Sequence, residues 1–501
     1  MNIVKALKDL IQQTVVDQIS GPDDQRILDV TVDSREVKPG SLFICLSGAH
    51  ADGHNFVDKA VEGGAAAIVA ERMVSVPSHV TVIYVKNTRK AMEDITPVFF
   101  DYPARKMRML AVTGTNGKTT TTHIAAHILE KAGFRTGIIG TIHMMIGHTE
   151  YPTHNTTPDV VDLERMLAQM ADSGVTHVCM EVSSHALVMG RVEGVEFDNA
   201  SFTNLTEDHL DYHKTMENYA AAKAILFQKV SAEGQTKTGK TAHINADVPY
   251  ADVMMASVDR KLCRVSTYGI DSPADLQAEN IRFNASSSEF TLHAGSRNYE
   301  VRTNLVGRFN VYNVLCAISS CLGEGVSMET ILEALSDFHA VPGRFELINE
   351  GQPFTVVVDY AHTPDGLENI LKTAEEIRRG RIITVFGCGG DRDAMKRPIM
   401  GRIGAQYSDI VIVTSDNPRT EDPASIVEEV ASGVRSAAVR PGFFFETIVN
   451  RRDAIHRAIS LAQPGDIVII AGKGHETYQI LKDKTIHFDD REEARAVLKG
   501  V

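Results

Sequence analysis

Short apolar runs bounded by turn residues recur along the whole chain. SLFICL, AAAIVA and VTVIYV fall before residue 105; MRMLAV, GIIGTI and HVCMEV follow in the middle; TVVVDY, RIITVFG, DIVIVTS and DIVIIA fall in the last third. Runs this short, bounded by turn residues, read as strands. Between them lie segments with helical spacing. DVVDLERMLAQMADSG is one, and Gly174 is placed to end it. Strands alternating with helices predict an α/β protein. The opening MNIVKALKDLIQQ reads as a short amphipathic helix, and ADLQAENIRFNASSSEFTLHAGSRNYEVRTNL as a β-meander insert. DYPARK, charged and carrying Pro103, reads as a linker. The expected domains are residues 1–105, a small α/β domain; 106–341, a central α/β domain; and 342–501, a doubly wound, Rossmann-like domain with its site at the carboxyl ends of its strands.

At 501 residues the chain has room for several domains with sizeable cores. A formal net charge of −14 argues against general binding of nucleic acid or anionic membranes. The six cysteines form no C-x-x-C pair, as expected in a reducing compartment. The amino terminus lacks a signal-peptide core, and no apolar run is long enough to span a bilayer. The reading is a soluble, cytoplasmic protein.

The stretch with the plainest chemistry is Gly114-Thr115-Asn116-Gly117-Lys118-Thr119-Thr120, between an apolar run and a helical pattern. Strand, Gly-rich turn and helix make a phosphate cradle: backbone N–H groups face the phosphates, Lys118 reaches the β/γ oxygens, and Thr119 can hold Mg²⁺. Val112 stands where the common P-loop pattern has its first glycine, so the match is partial. Glu181 ends HVCMEV and is either a metal carboxylate or a helix-start acid beside the capping residues Ser183 and Ser184. His209 and His213 have i, i+4 spacing but no further ligand cluster in sequence, and spacing alone favours structural histidines. Lys223, in NYAAAKAILF, reads as a solvated helix lysine. Asn310 is a helix cap, or Asn310 and Asn313 read a base or ribose; the pattern leaves both open.

Four polar clusters follow four strands of the last block: Asp359-Tyr360-Ala361-His362-Thr363-Pro364, Gly389-Gly390-Asp391-Arg392-Asp393, Asp416-Asn417-Pro418-Arg419 and Gly472-Lys473-Gly474-His475-Glu476. Each alone is ordinary turn chemistry. Together they suit an amino-acid substrate, with Arg392 and Arg419 clamping a carboxylate and Asp416 and Glu476 holding an ammonium.

The succession GTNGKTT, EVSSHAL, YAAAKAILF, GRFNVYN, PGRFE, DYAHTP and GCGGDRD resembles the Mur ligases of peptidoglycan synthesis, over essentially the whole chain. TVDSREVKPGSLFICLSGAHADGHNF resembles the UDP-binding domain shared by the third and fourth ligases of that pathway. Asn155-Thr156-Thr157-Pro158 is similar to the third, the MurE type, and DNPR to its diaminopimelate-adding form. The resemblance implies an ATP-dependent amide ligase that joins meso-2,6-diaminopimelate to UDP-N-acetylmuramoyl-L-alanyl-D-glutamate through an acyl phosphate. A lysine-adding ligase and a non-catalytic nucleotide- and UDP-sugar-binding regulator are the alternatives. It implies that residues 114–120, Asn313, Arg344 and Asp359 bind ATP. Thr119, Glu181, His209 and a carbamylated Lys223 would hold Mg²⁺, with Lys118, Glu181, His209 and Lys223 catalytic; for His209 and Lys223 this displaces the spacing-only readings. Ser34, Asn155, Thr156, Thr157, Ser183 and Arg191 would bind the UDP-muramoyl dipeptide. Arg392, Asp416, Asn417, Pro418, Arg419, Gly472 and Glu476 would bind diaminopimelate. Met189 stands where relatives often carry Gln. The expected partners are these small molecules, with no nucleic acid and no membrane insertion, and the expected state is a monomer.

Overall fold

The computed structural model describes residues 3–48, 51–153, 155–284 and 286–500. Met1 and Asn2 of the opening stretch, Ala49 and His50 of GAHADGHNF, and Ala285 of the meander lie outside the described residues. Three larger sheets follow one another along the chain. The first has five strands in the order Gln18–Ser20, Thr81–Tyr84, Ala67–Ala70, Ser41–Ile44, Asp29–Thr31; all neighbours are parallel except the first pair. Its inner strands Thr81–Tyr84, Ala67–Ala70 and Ser41–Ile44 are buried at every position because both faces are covered.

The second sheet has eleven strands. Its parallel centre runs Thr136–Ile139, His177–Glu181, Arg108–Thr113, Asn199–Phe202, Lys240–Asn245, Cys263–Gly269. The meander differs from its expected place as an insert. Leu276–Phe283 joins Cys263–Gly269 in parallel and then pairs antiparallel with Ser288–Ala294, which pairs with Arg297–Thr303. Phe290, Leu292 and Val301 share a core with helix Arg308–Gly323, so burial on one face makes the meander an extension of the central sheet.

The third sheet has six strands, and its parallel part runs Thr355–Asp359, Ile467–Ala471, Ile382–Phe386, Ile410–Val413, Phe444–Thr447. Helices Pro364–Ile377, Lys396–Tyr407 and Pro423–Arg435 contribute to the core on one face, and Arg451–Leu461 and Asp490–Leu498 to the core on the other. This is the doubly wound arrangement expected from the sequence.

Two expectations fail locally. The opening stretch is not a helix over its length. Lys5–Ala6 pairs as a strand with Arg26–Ile27, and only Leu7–Leu10 is helical, with Leu7 and Leu10 buried. The ladder takes the backbone that a longer helix needs. DYPARK is not a loose linker either. Tyr102 has φ +47°, Pro103–Lys106 is a 3₁₀ turn with Pro103 and Ala104 buried, and Arg105 donates to Glu196 at 2.8 Å. Across this junction Val160, Val161 and Ala168 of helix Val160–Asp172 pack with Leu7, Met92 and Ile95. Gly174, at φ +76°, ends that helix as expected, and the next amide, Val175 N–H, donates to Met170 O at 3.0 Å.

Glu164, on the same helix, is buried next to Pro97 and Gly194, and its Oε2 has no hydrogen-bond partner among the described residues. Burial pushes its carboxyl up to about 8 from 4.5, with Arg105 offsetting only part. The folded chain therefore keeps a proton that the unfolded chain releases, and stability falls as pH rises from about 4.5 to about 8. Glu164→Gln is expected to flatten that part of the profile, read as the Tm difference between pH 5 and pH 8. An unchanged difference would mean the carboxyl does not hold its proton.

Candidate active site

Strand Arg108–Thr113 runs into the turn 114–117, and helix Lys118–Lys131 follows. Gly117 has φ +87°, and a Cβ there would collide with Asn313 Oδ1; a Cβ at Gly114 would collide with Thr203 Oγ1. The turn is braced by the end of the neighbouring strand Asn199–Phe202. Asn116 N–H donates to Asn204 Oδ1 at 2.9 Å, Thr115 N–H to Asn204 O at 3.0 Å, and Thr203 Oγ1 to Asn116 O at 2.6 Å. Lys118 Nζ donates to Gly114 O and Thr115 O at 2.8 and 2.9 Å. Thr119 and Thr120 are buried in the first turn. A helix N-terminus, a left-handed glycine and a lysine in one turn form an anion site.

Glu181 ends the adjacent parallel strand, fully buried. Its carboxylate accepts from Thr141 N–H at 2.9 Å and Thr141 Oγ1 at 3.0 Å, and Gly140 leaves it room. Thr156 Oγ1 lies 3.1 Å from Thr141 Oγ1, and Thr157 Oγ1 donates to Glu181 O at 2.9 Å. Ser183 caps helix Ser184–Val188 through Ala186 N–H at 3.2 Å. Arg191 Nη1 donates to Thr157 O at 3.0 Å, while its buried Nε has no partner among the described residues. Thr156, Thr157, Ser183 and Arg191 thus gather around Glu181, with Asn155 beside them in sequence. Ser34 lies in the turn after Asp29–Thr31, in the first sheet. Met189 offers its thioether to Arg191 Nη2 at 3.5 Å, and its carbonyl accepts from Arg89 at 3.3 Å.

Lys223 is not a solvated lysine. It is 1 % exposed on helix Met216–Val230, and burial beside Lys118 lowers its ammonium pKa well below the usual value, with Asp208 opposing weakly. Its Nζ lies 4.5 Å from the Tyr219 ring centroid. Tyr219 Oη is 3.2 Å from Thr115 Oγ1, which ties this helix to the phosphate turn. His209 and His213 do not act as a pair. His213 is buried, stacks on Tyr219 and bonds Ser184 Oγ at 2.9 Å, whereas His209 is half-exposed at φ +55° and meets His185 edge-on. Among the described residues no group of three or more His, Cys, Asp or Glu can hold a metal.

The third sheet meets this site from the other side. Arg344 packs on Tyr360 and donates to Thr119 Oγ1 at 3.3 Å. Asp359 accepts from Phe345 N–H and Ala361 N–H at 2.6 and 2.7 Å, and burial raises its pKa against the pull of Arg344. Asn310 is not a cap: Gly307 is, and Asn310 Nδ2 donates back to Val306 O at 2.9 Å. Asn313 accepts no cap role either; it donates to Asn310 Oδ1 at 3.1 Å and presses on Gly117. Asp365 bridges the two halves, accepting from Asn116 Nδ2 at 2.6 Å and Thr206 Oγ1 at 3.1 Å. Nothing in the sequence signals this, because an acid one residue after a helix-opening proline reads as dipole chemistry.

The four clusters at the strand ends converge: Tyr360 of the first packs on His475 of the last, with ring centroids 5.0 Å apart, and Gly472 N–H donates to Asp359 O at 3.0 Å. Asn417 Nδ2 donates to Glu476 Oε2 at 2.9 Å, and the fully buried Lys473 donates to the same oxygen at 2.9 Å. Gly472, at φ +119°, lies against Asp416: a Cβ there would stand 2.7 Å from Asp416 Oδ2. Arg419, at φ +53°, donates from its backbone to Ile480 O at 3.1 Å and from Nη1 to Gly390 O at 2.8 Å. Arg392 is exposed, and both arginines flank Gly389; Pro418 is buried against Gly390. Lys473 is the residue that sequence reading passed over, since a lysine between two glycines reads as a loop cation.

Three family models match in order: "Mur ligase family, catalytic domain" over residues 26–99, "Mur ligase middle domain" over 112–321, and "Mur ligase, glutamate ligase domain" over 343–474. The UDP-N-acetylmuramoyl-L-alanyl-D-glutamate–2,6-diaminopimelate ligase of Geobacillus kaustophilus is 48% identical, over 94% of this chain and 95% of its own. The enzyme of the same name from Syntrophomonas wolfei is 45% identical over 99% of each chain. A solved structure of a ligase with that name superposes with a TM-score of 0.70 at 31% identity, covering 99% of both chains. With such identity along nearly its whole length, and with three successive domains matched, the chain belongs to the Mur ligase family.

Proposed function

We propose that the protein is the ATP-dependent ligase that joins meso-2,6-diaminopimelate to the D-glutamate γ-carboxylate of UDP-N-acetylmuramoyl-L-alanyl-D-glutamate, a step of peptidoglycan precursor synthesis. One observation carries the reading: the phosphate turn, with Glu181 ending the strand beside it, is bonded to the domain of the third sheet through Asn116–Asp365 and Thr119–Arg344. Residues 1–105 are assigned to the UDP end of the substrate through Ser34, 106–341 to ATP and the reacting carboxylate, and 342–501 to the amino acid.

A carboxylate is a poor electrophile, so the γ-carboxylate oxygen attacks the γ-phosphorus of ATP and ADP leaves. Residues 114–120 cradle the phosphates, and Lys118 neutralises charge that develops on them. Asn313, Arg344 and Asp359 hold the remainder of the nucleotide. Asn155, Thr156, Thr157, Ser183 and Arg191 orient the acceptor chain. The diaminopimelate amine then attacks the acyl carbon, loses its proton, and phosphate departs. Asp416, Asn417 and Glu476 place that amino acid's ammonium, with Gly472 and Pro418 shaping the wall and Arg392 and Arg419 on its far carboxylate.

The donor set fits Mg²⁺. Protein carboxylates are few here, and Mg²⁺ is usually held through one or two carboxylates together with phosphates and water. Thr119, Glu181, His209 and a carbamate on Lys223 would hold it, and it would supply Lewis-acid neutralisation of phosphate charge. Carbamate formation needs a neutral amine, and burial beside Lys118 shifts Lys223 toward that form. The amine adds CO₂ and releases one proton.

Phosphate release from ATP with the UDP-muramoyl dipeptide is expected with meso-diaminopimelate and not with L-lysine at equal concentration. Turnover with lysine would make this a lysine-adding ligase, and silence with both would leave the binding-only alternative. Arg419→Ala is expected to lose roughly 10⁴-fold in discrimination against lysine, because the wild-type site leaves the arginine unpaired when the second carboxylate is missing. Retained preference in that variant would remove Arg419 from specificity. Protein equilibrated with ¹³C-bicarbonate is expected to give one carbamate resonance that Lys223→Arg abolishes; no such resonance in the wild type would end the carbamate assignment.

A further inference from the structure

Helix Arg451–Leu461 opens with a side chain that no sequence pattern singles out. Arg451 and Asp490 are both fully buried. They form a fork: Nε to Oδ1 at 2.8 Å and Nη2 to Oδ2 at 2.7 Å. The remaining donor capacity goes to backbone, with Nη2 reaching Ala471 O at 2.9 Å and Nη1 reaching Ser415 O at 3.4 Å. Ala471 ends strand Ile467–Ala471 and precedes Gly472; Ser415 follows strand Ile410–Val413 and precedes Asp416. These strands are not neighbours, since Ile382–Phe386 lies between them. The guanidinium therefore spans a strand and binds the peptide unit in front of each residue. The three meet at one point: a Cβ on Gly472 would stand 2.7 Å from Asp416 Oδ2 and 3.9 Å from Arg451 Nη2.

We propose that Arg451, held by Asp490, is a positioning residue for the amino-acid substrate: it fixes the carbonyls of Ser415 and Ala471 and so sets the separation of Asp416 and Gly472. This rests on the assignment of those two residues to the acceptor pocket. Stability alone does not account for the pair, because a buried ion pair is commonly replaced by apolar side chains of similar volume without loss. The carbonyl contacts are different. A methionine cannot make them, and a lysine cannot make them while keeping the fork. The negative charges of Asp416 and Glu476 also bear on Arg451, so its cation offsets repulsion between the two acids that receive the substrate ammonium.

Steady-state kinetics of the full-length enzyme decide the matter. The double variant Arg451→Met/Asp490→Leu removes both members of the pair, so neither is left as a buried charge without the other. It is expected to unfold cooperatively, to keep the KM values for ATP and the UDP-muramoyl dipeptide within about twofold, and to raise the KM for diaminopimelate at least tenfold. Arg451→Lys, which keeps the charge without the fork, is expected to raise the same KM by less. A folded double variant with the wild-type diaminopimelate KM would overturn the proposal, and so would an equal rise in all three constants. Should the double variant not fold, the same criteria apply to Arg451→Lys. Wild-type enzyme that ignores diaminopimelate would defeat the substrate assignment instead, and the comparison is then made with the acceptor the wild type uses.

Discussion

At Gly114 and Gly117 the backbone presses so closely on Thr203 and Asn313 that neither position has room for a Cβ. The contact at Gly117 brings helix Arg308–Gly323 to the turn, and the contact at Gly114 brings the end of strand Asn199–Phe202. Asn204 then occupies both amides of the turn that face it. Asp365 reaches the same turn from the third sheet, and Tyr219 from the helix that carries Lys223. Four elements remote in sequence are thus registered on one short turn, and their mutual distances follow from it. A side chain at either glycine displaces the braces along with the phosphate cradle.

The electrostatics follow from the same convergence. Lys118, Lys223 and Arg344 approach one another with Glu181, Asp208 and Asp359 as the carboxylates whose charge bears on them. Lys223 is fully buried, whereas Lys118 and Arg344 are half-buried, and burial with only Asp208 to oppose it shifts Lys223 toward its neutral form. A polyanionic nucleotide brings charge of the sign this region needs, so binding it offsets the desolvation that folding imposed. Strain is placed in the same neighbourhood: His209, Phe345, Asp391 and Arg419 all hold positive φ without being glycine. Each costs on the order of 1–3 kcal/mol and persists because neighbouring bonds hold it, as Ile480 O and Gly390 O hold Arg419.

Strands and the phosphate turn are legible in the sequence because their signals are local: short apolar runs for strands covered on both faces, and glycines before Lys-Thr for the turn. The four strand-end clusters are legible for the same reason, since topology alone sends parallel strand ends to one edge. Other features are not local. Lys223 carries the pattern of an exposed helix lysine, and only the packing of Tyr219 and the nearby Lys118 reveals it as buried, with its ammonium pKa lowered. Asp365, Lys473 and the pair Arg451–Asp490 owe their surroundings to partners 249, 56 and 39 residues away. The meander was recognisable as three strands, yet its junction with the central sheet rests on a two-residue parallel pairing with no pattern of its own. The opening stretch fails oppositely: its amphipathic spacing is real, but pairing of Lys5–Ala6 with Arg26–Ile27 overrides it.

The acceptor pocket divides its work between groups of very different rigidity. Arg392 is exposed, so solvent and salt screen its attraction for a carboxylate. Arg419 is partly buried and anchored at both backbone and guanidinium, so the geometry it offers is fixed before substrate arrives. Discrimination between a diamino acid with one carboxylate and one with two requires a cost for leaving the cation unpaired, and only a desolvated, immobile cation carries such a cost. Under the proposed assignment, Arg392 would draw the substrate in and Arg419 would choose it. On the opposite wall the same logic holds for the ammonium. Asp416 and Glu476 can favour it only if their spacing survives their own repulsion, and the buried cations Lys473 and Arg451 stand where that repulsion has to be balanced.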